Sequence, residues 1–141
     1  MERSLMDVGA VMQAVADRID TIDNLRVYAY PPDTVNPPAA VVSYPAEYEF
    51  DATYGRGMDR ISDLPVVVLI GKVSDRTSRD KVAQYVNGTG TASLKAVIES
   101  GTYTAFDTVR VASVSFDIIA VAGVEYLGAT FILDIAGQGE V

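Results

Sequence analysis

Three groups of residues in this chain carry reactive or ligating potential. Glu47, Glu49 and Asp51 alternate along a stretch that reads as extended, which places their carboxylates on one side, as the paired acids of a glycosidase must be. Asp17, Asp20 and Asp23 crowd the end of a helical segment and offer the hard oxygen ligands that calcium or magnesium prefers. The run NGTGTAS, residues 87–93, sets glycines before a helix start, where backbone amides bind anions. Each has a plainer account. An alternating acidic strand is also a surface facing solvent or a partner, and the aspartate trio lacks an EF-hand pattern and fits a solvated helix end. The glycine run has neither G-K-[ST] nor a full G-x-G-x-x-G after a strand, so a helix C-cap followed by an N-cap explains it. Histidine and cysteine are both absent. That excludes imidazole acid–base work, Ser-His-Asp and Cys-His nucleophiles, thiolate zinc sites and disulfides. No catalytic, cofactor or metal-binding residue is assigned, and the chain reads as a protein that is not an enzyme.

Size and charge narrow the classes further. The 141 residues suit one domain, 1–141, with enough apolar content, 49%, for a core without staples. Eleven basic residues stand against 19 acidic ones, a net charge of -8. Phosphate neutralisation needs clustered Lys and Arg, so a nucleic-acid grip is not expected. No apolar run approaches the roughly 20 residues of a membrane span. The opening MERSLMDVGAVMQAV lacks a basic n-region and a small-residue cleavage site, so synthesis and use in the cytoplasm, or later packaging, are expected.

The elements that must position these residues follow from periodicity. Leu5, Val8, Met12, Val15, Ala16 and Ile19 mark the stripe of a helix over 5–19, with Ser4 and Asp7 spaced as a capping box. A short extended piece covers 27–30. Residues 28–45 then hold five of the six prolines, a connection with restricted φ and few donors, which leads into a strand over 39–44 that stops at Pro45. Residues 46–64 are an acidic and aromatic excursion, with Gly55 and Gly57 as its turn and flanks able to extend the neighbouring strands into a protruding hairpin arm. A strand over 65–73 has Pro65 first and is apolar on both faces, as a central strand is. Thr77 or Ser74 caps a helix carrying Val82, Tyr85 and Val86 that ends at Asn87-Gly88; Thr91 caps another with Leu94, Val97 and Ile98 that ends near Gly101. Two β-rich runs about Ala122-Gly123 form a long C-terminal hairpin. In its second strand Leu127, Ala129, Phe131, Leu133 and Ile135 share one face, while Tyr126, Thr130 and Asp134 share the other and should meet water or another subunit. The expected fold is α+β, helices packed on a mainly antiparallel sheet, in the order α-β-β-β-α-α-β-β.

Charge is unevenly spread. Residues 47–63 hold five acids and two arginines, net -3, among Tyr48, Phe50 and Tyr54, whereas residues 72–81 hold Lys72, Arg76, Arg79 and Lys81 against two acids, net +2. Such segments can satisfy each other between subunits, and a head-to-tail contact closes into a ring when its rotation permits. Solvated surface is the alternative.

Taken together, the first helix, the PPDTVNPPAAVVSYP passage into a strand, the LPVVVLIGKVSDRTSRDKVAQYV strand-to-helix passage, the TASLKAVIES helix and the final hairpin resemble the tail terminator, or tail completion, proteins of long-tailed bacteriophages. The resemblance covers nearly the whole chain as an arrangement of small features. It implies a virion protein, made in the host cytoplasm, whose homo-oligomeric ring, hexameric in that family, caps the head-proximal end of the tail tube. It implies the major tail tube protein and the neck or head-closure protein as partners, DNA only in transit, no membrane and no cofactor. Loops meet tube and neck in that family, which maps by position onto Tyr48, Phe50, Tyr54, Arg56 and Arg60. Another neck connector or tail-tube-like subunit is the first alternative, and a small ligand-binding domain the second.

Overall fold

The computed structural model describes residues 6–23, 25–29, 38–50, 58–72, 76–90, 93–121 and 123–138, with the backbone alone at 58, 76–79, 121 and 138. Helix α1 (Val8–Ile19) is followed by β1 (Arg26–Tyr28), β2 (Ala39–Val42), β3 (Met58–Lys72), α2 (Arg76–Val86), α3 (Leu94–Glu99), β4 (Thr108–Val121) and β5 (Val124–Gln138). The class and element order are those expected from the sequence. One five-stranded sheet has the order β1-β2-β3-β5-β4; β1 runs parallel to β2 and every other pair is antiparallel.

Helix α1 begins later than its stripe suggests. Asp7, in extended conformation, is the N-cap, and its carboxylate accepts the Gly9 N–H at 2.9 Å. Met6 precedes that cap and Val11 sits one turn inside; both belong to the same buried cluster, the positions of a hydrophobic staple. Ser4 and Leu5 lie outside the described residues. Helix α3 is capped by Ser93, whose buried hydroxyl accepts from Ala96 N–H and donates to the Asn87 carbonyl. Thr91 and Ser74 lie outside the described residues, and Thr77 falls within α2 rather than before it. Arg18, in the last turn of α1, donates to the Val97 carbonyl at 2.7 Å and to Ser100 Oγ at 3.0 Å, so one helix closes the carbonyl end of another.

Strand β3 starts at Met58, seven residues before the expected 65. Its first turn of pairing hides behind polar letters: Asp59 and Ile61 face inward while Arg60 faces out, and a bulge between Ile61 and Leu64 interrupts the alternation. Pro65 is therefore interior to the strand. It is tolerated because its nitrogen faces β2 one position beyond Val42, the last residue of that strand; on this side the Pro65 carbonyl still accepts from Ser43 N–H at 2.9 Å. Strand β2 ends two residues short of the expected Tyr44 for the same reason. At the other end of the sheet Val121 pairs with Val124 across a two-residue connection, where Gly123 takes φ 81°, a left-handed conformation that costs glycine little.

The core lies between the three helices and one face of the sheet. Val11, Val15, Ile19, Leu94 and Ile98 meet Val42, Leu64, Val66, Val68, Phe131, Leu133 and Ile135, nearly all without solvent exposure. Each such side chain contributes about 1.5–3 kcal/mol through burial. The inward alternation read in β5 is the one observed. Among the described residues no helix is long and apolar enough to cross a membrane.

Candidate interaction surfaces

Two surfaces stand out. The first lies where the chain leaves β2. Residues 43–50 pass the N-terminus of α1 and return to the sheet at Glu49, which exchanges both backbone hydrogen bonds with Arg60 at 2.8 and 2.9 Å. This return places Tyr48 on the helix side, where its hydroxyl donates to Asp59 Oδ2 at 2.6 Å, with the Met6 carbonyl 3.3 Å away. Asp59 is almost fully buried, so that phenol is part of what lets a carboxylate sit inside the fold. Phe50 packs against Tyr48 with ring centroids 4.9 Å apart, yet remains 75% exposed, and Tyr44 remains 65% exposed. Together with Met6, Pro45, Asp7 and Glu47 these residues line an open groove of about 1120 Å³.

The second surface is the sheet face away from the helices. Pro65, Val67, Tyr126, Thr130 and Ile132 are half-buried there, and Ala39, Val41 and Leu69 are buried on it without joining the helix-side core. Its polar mark is a cross-strand cluster. Arg60 holds Asp134 in a bidentate pair at 2.9 and 2.7 Å, and Arg110 Nη2 lies 3.9 Å from the same carboxylate. The Arg60 hydrogen bond and charge hold the Asp134 carboxyl below its ordinary range against partial burial. Among the described residues no helix packs against this face, and no cluster of three or more acidic side chains has metal-binding geometry.

The sequence-derived interface residues are thus distributed over the fold. Tyr48 and Phe50 come together in the groove, whereas the Arg60 guanidinium turns to the opposite face and is bonded to Asp134. Tyr54 and Arg56 lie outside the described residues. Lys72 ends β3, and Arg76 and Arg79 begin α2 by their backbone, their side chains lying outside the described residues. At about 3.3 Å per residue, Arg60 and Lys72 lie on the order of 40 Å apart along one strand. Glu47 lines the groove beside Asp7, while Glu49 pairs with the sheet and Asp51 lies outside the described residues. Asp17 accepts from Gln13 and Asp20 closes α1. Two features escaped sequence reading. Glu99 reaches from α3 to accept the Val111 N–H of edge strand β4 at 2.8 Å while pairing with Lys95; burial pushes its carboxyl up, and these partners overcome that and hold it low. Phe116 and Ile118 stay more than half exposed near the hairpin tip, which no periodicity could reveal because their alternation matches that of buried residues.

No protein-family model matches the chain, and a search of curated proteins finds no match.

Proposed function

We propose that this protein is a virion structural subunit of tail-terminator type, assembling into a ring that caps a tail tube and presents a surface to the neck of the filled head. The observation that carries the assembly part is the sheet face that no described helix covers: a central pair of 15-residue strands has one face sealed by helices and the other apolar and, at Pro65, Val67, Thr130 and Ile132, half-buried. A subunit that completes such a face with a neighbour gains burial it lacks alone, at roughly 25 cal/mol per Å² of apolar area. The sequence resemblance supplies the particular assembly. The net charge of -8 suits a channel that repels phosphates and lets a genome slide. Function here resides in shape and polarity, with no bond made or broken.

The test is removal of the protein from the phage that encodes it. Overlong or headless tails in electron micrographs are the expected result; normal particles overturn the assignment. A second reading, a ligand-binding domain, is favoured by the groove volume, and a monomer whose melting temperature rises with a small organic cation would select it.

A further inference from the structure

We infer that the outer edge of β4 pairs antiparallel with the same edge of a second copy, about a two-fold axis at Phe116. This goes beyond the assembly reading and does not depend on it.

Strand β4 ends the sheet, and among the described residues only β5 pairs with it. Its backbone groups alternate between that partner and the outer edge. Val121 and Val124 close a two-residue hairpin, and such a closing pair exchanges hydrogen bonds, so Val121, Ile119, Asp117 and Ser115 turn their backbone groups toward β5. Val114, Phe116, Ile118 and Ala120 turn theirs outward. The edge is closed at one end, where Glu99 takes the Val111 N–H at 2.8 Å and the pairing shifts across Ala112. From Ser113 to Ala120 it carries one guard, the exposed Asp117 carboxylate, which accepts the Ile118 N–H at 2.8 Å. This stretch has no proline, lysine or arginine, residues that commonly keep an edge from pairing.

The side chains favour a copy of the same strand as the occupant. Phe116 and Ile118 stand opposite Ala129 and Leu127, on the helix side of the sheet, yet are 56% and 53% exposed. Pairing about Phe116 sets the two Phe116 rings opposite each other and Ile118 opposite the partner's Val114, so these apolar groups cover one another. It also sets Asp117 opposite Ser115. The neighbouring registers that use the outward groups are worse: pairing about Asp117 brings two carboxylates together, and pairing about Ser115 leaves Ile118 facing the bulge at Ala112. Phe116 is also the midpoint of 113–119, so this register uses the open stretch nearly end to end. Such a contact closes at two copies, because each edge occupies the other. It belongs with small interfaces, below about 1,200 Å² in total, and so dissociates on dilution.

The test uses the full-length chain in sedimentation velocity up to millimolar concentration. Phe116→Lys and Phe116→Glu each place like charges across the axis, and each should associate at least tenfold more weakly than the unmodified chain. Their equimolar mixture should recover a dimer, since opposite charges then meet at the same point. Association of the unmodified chain should strengthen as salt screens the like net charge of -8 on each copy. Because the chain has no cysteine, Phe116→Cys oxidised with copper phenanthroline should give a cross-linked dimer at least tenfold faster than Ala120→Cys, whose two copies lie on the order of 25 Å apart in this register. An unmodified chain that stays monomeric, a mixture no stronger than its components, association that weakens with salt, or equal cross-linking at the two positions overturns the proposal. Loss of association through Val67→Thr with Ile132→Thr but not through Phe116→Lys also overturns it, while leaving the sheet-face assembly intact. Circular dichroism of each variant checks that it folds.

Discussion

The two faces of the β3–β5 pair are drawn from the same apolar runs and reach different ends. Toward the helices Leu64, Val66, Val68, Phe131 and Leu133 are sealed from water. On the reverse, Pro65, Val67, Thr130 and Ile132 alternate with them and stay half-buried. Composition hardly separates the two sets: what differs is the layer above each. Three helices with apolar stripes cover one face, and no described helix covers the other. An apolar strand run thus reports that burial is available on both sides, while the supply of covering elements within the chain decides where that burial is completed.

Substitutions probe this contrast, and the largest effect belongs to the sealed face. Phe131→Ala, at a side chain 1% exposed, should lower unfolding free energy by about 3–5 kcal/mol in urea titration. A loss below about 1 kcal/mol would show that the core is looser than described. Ser93→Ala weakens the helical layer instead, removing the α3 cap and the bond to Asn87; about 1–2 kcal/mol should be lost, with Ser93→Thr recovering part of it. On the open face, Val67→Thr with Ile132→Thr should change stability of the isolated chain by no more than about 1 kcal/mol, yet reduce its self-association. If stability falls as far as for Phe131→Ala, the two faces are equivalent and the contrast fails.

The smallest effect is electrostatic and has a defined sign. Asp134 is held below its ordinary carboxylate range in the folded chain, so its contribution is present above that range and lost as pH falls through the depressed folded value. Asp134→Asn should therefore be less stable than the parent near neutrality, and the two should converge as pH falls through and below the ordinary carboxylate range. The Arg60 partner is largely solvent-accessible, which keeps the effect small and sensitive to salt. Parallel curves at all pH values would show that Arg60 does not hold Asp134 in solution.

Legibility in sequence followed the reach of each interaction. Alternation in β5 and the 3,4 stripe of α1 gave their buried sides correctly, because both patterns reflect one covering layer over many residues. The start of β3 was missed: Asp59 looks like loop polarity until Tyr48, eleven positions earlier, is seen to bond it. Ser93 was passed over as cap in favour of Thr91, since both offer a hydroxyl before an apolar run and only its bonds to Asn87 and Ala96 choose between them. Of the interface residues, neither the ring contact of Tyr48 with Phe50 nor the turning of Arg60 to the opposite face was read from the sequence, since both depend on how the chain returns to the sheet at Glu49 and on strand parity beside a bulge.

By itself the amino-acid sequence determined the class, the element order, the faces of the longest strands and the absence of imidazole and thiol chemistry, because these depend on residue type and short-range periodicity. Only the tertiary structure decided that the acidic groove lies at the start of β3 while Lys72 ends it, and that no described helix covers one sheet face. Those facts arise from strand order and from which elements reach which surface, quantities set by contacts between distant residues rather than by any local pattern.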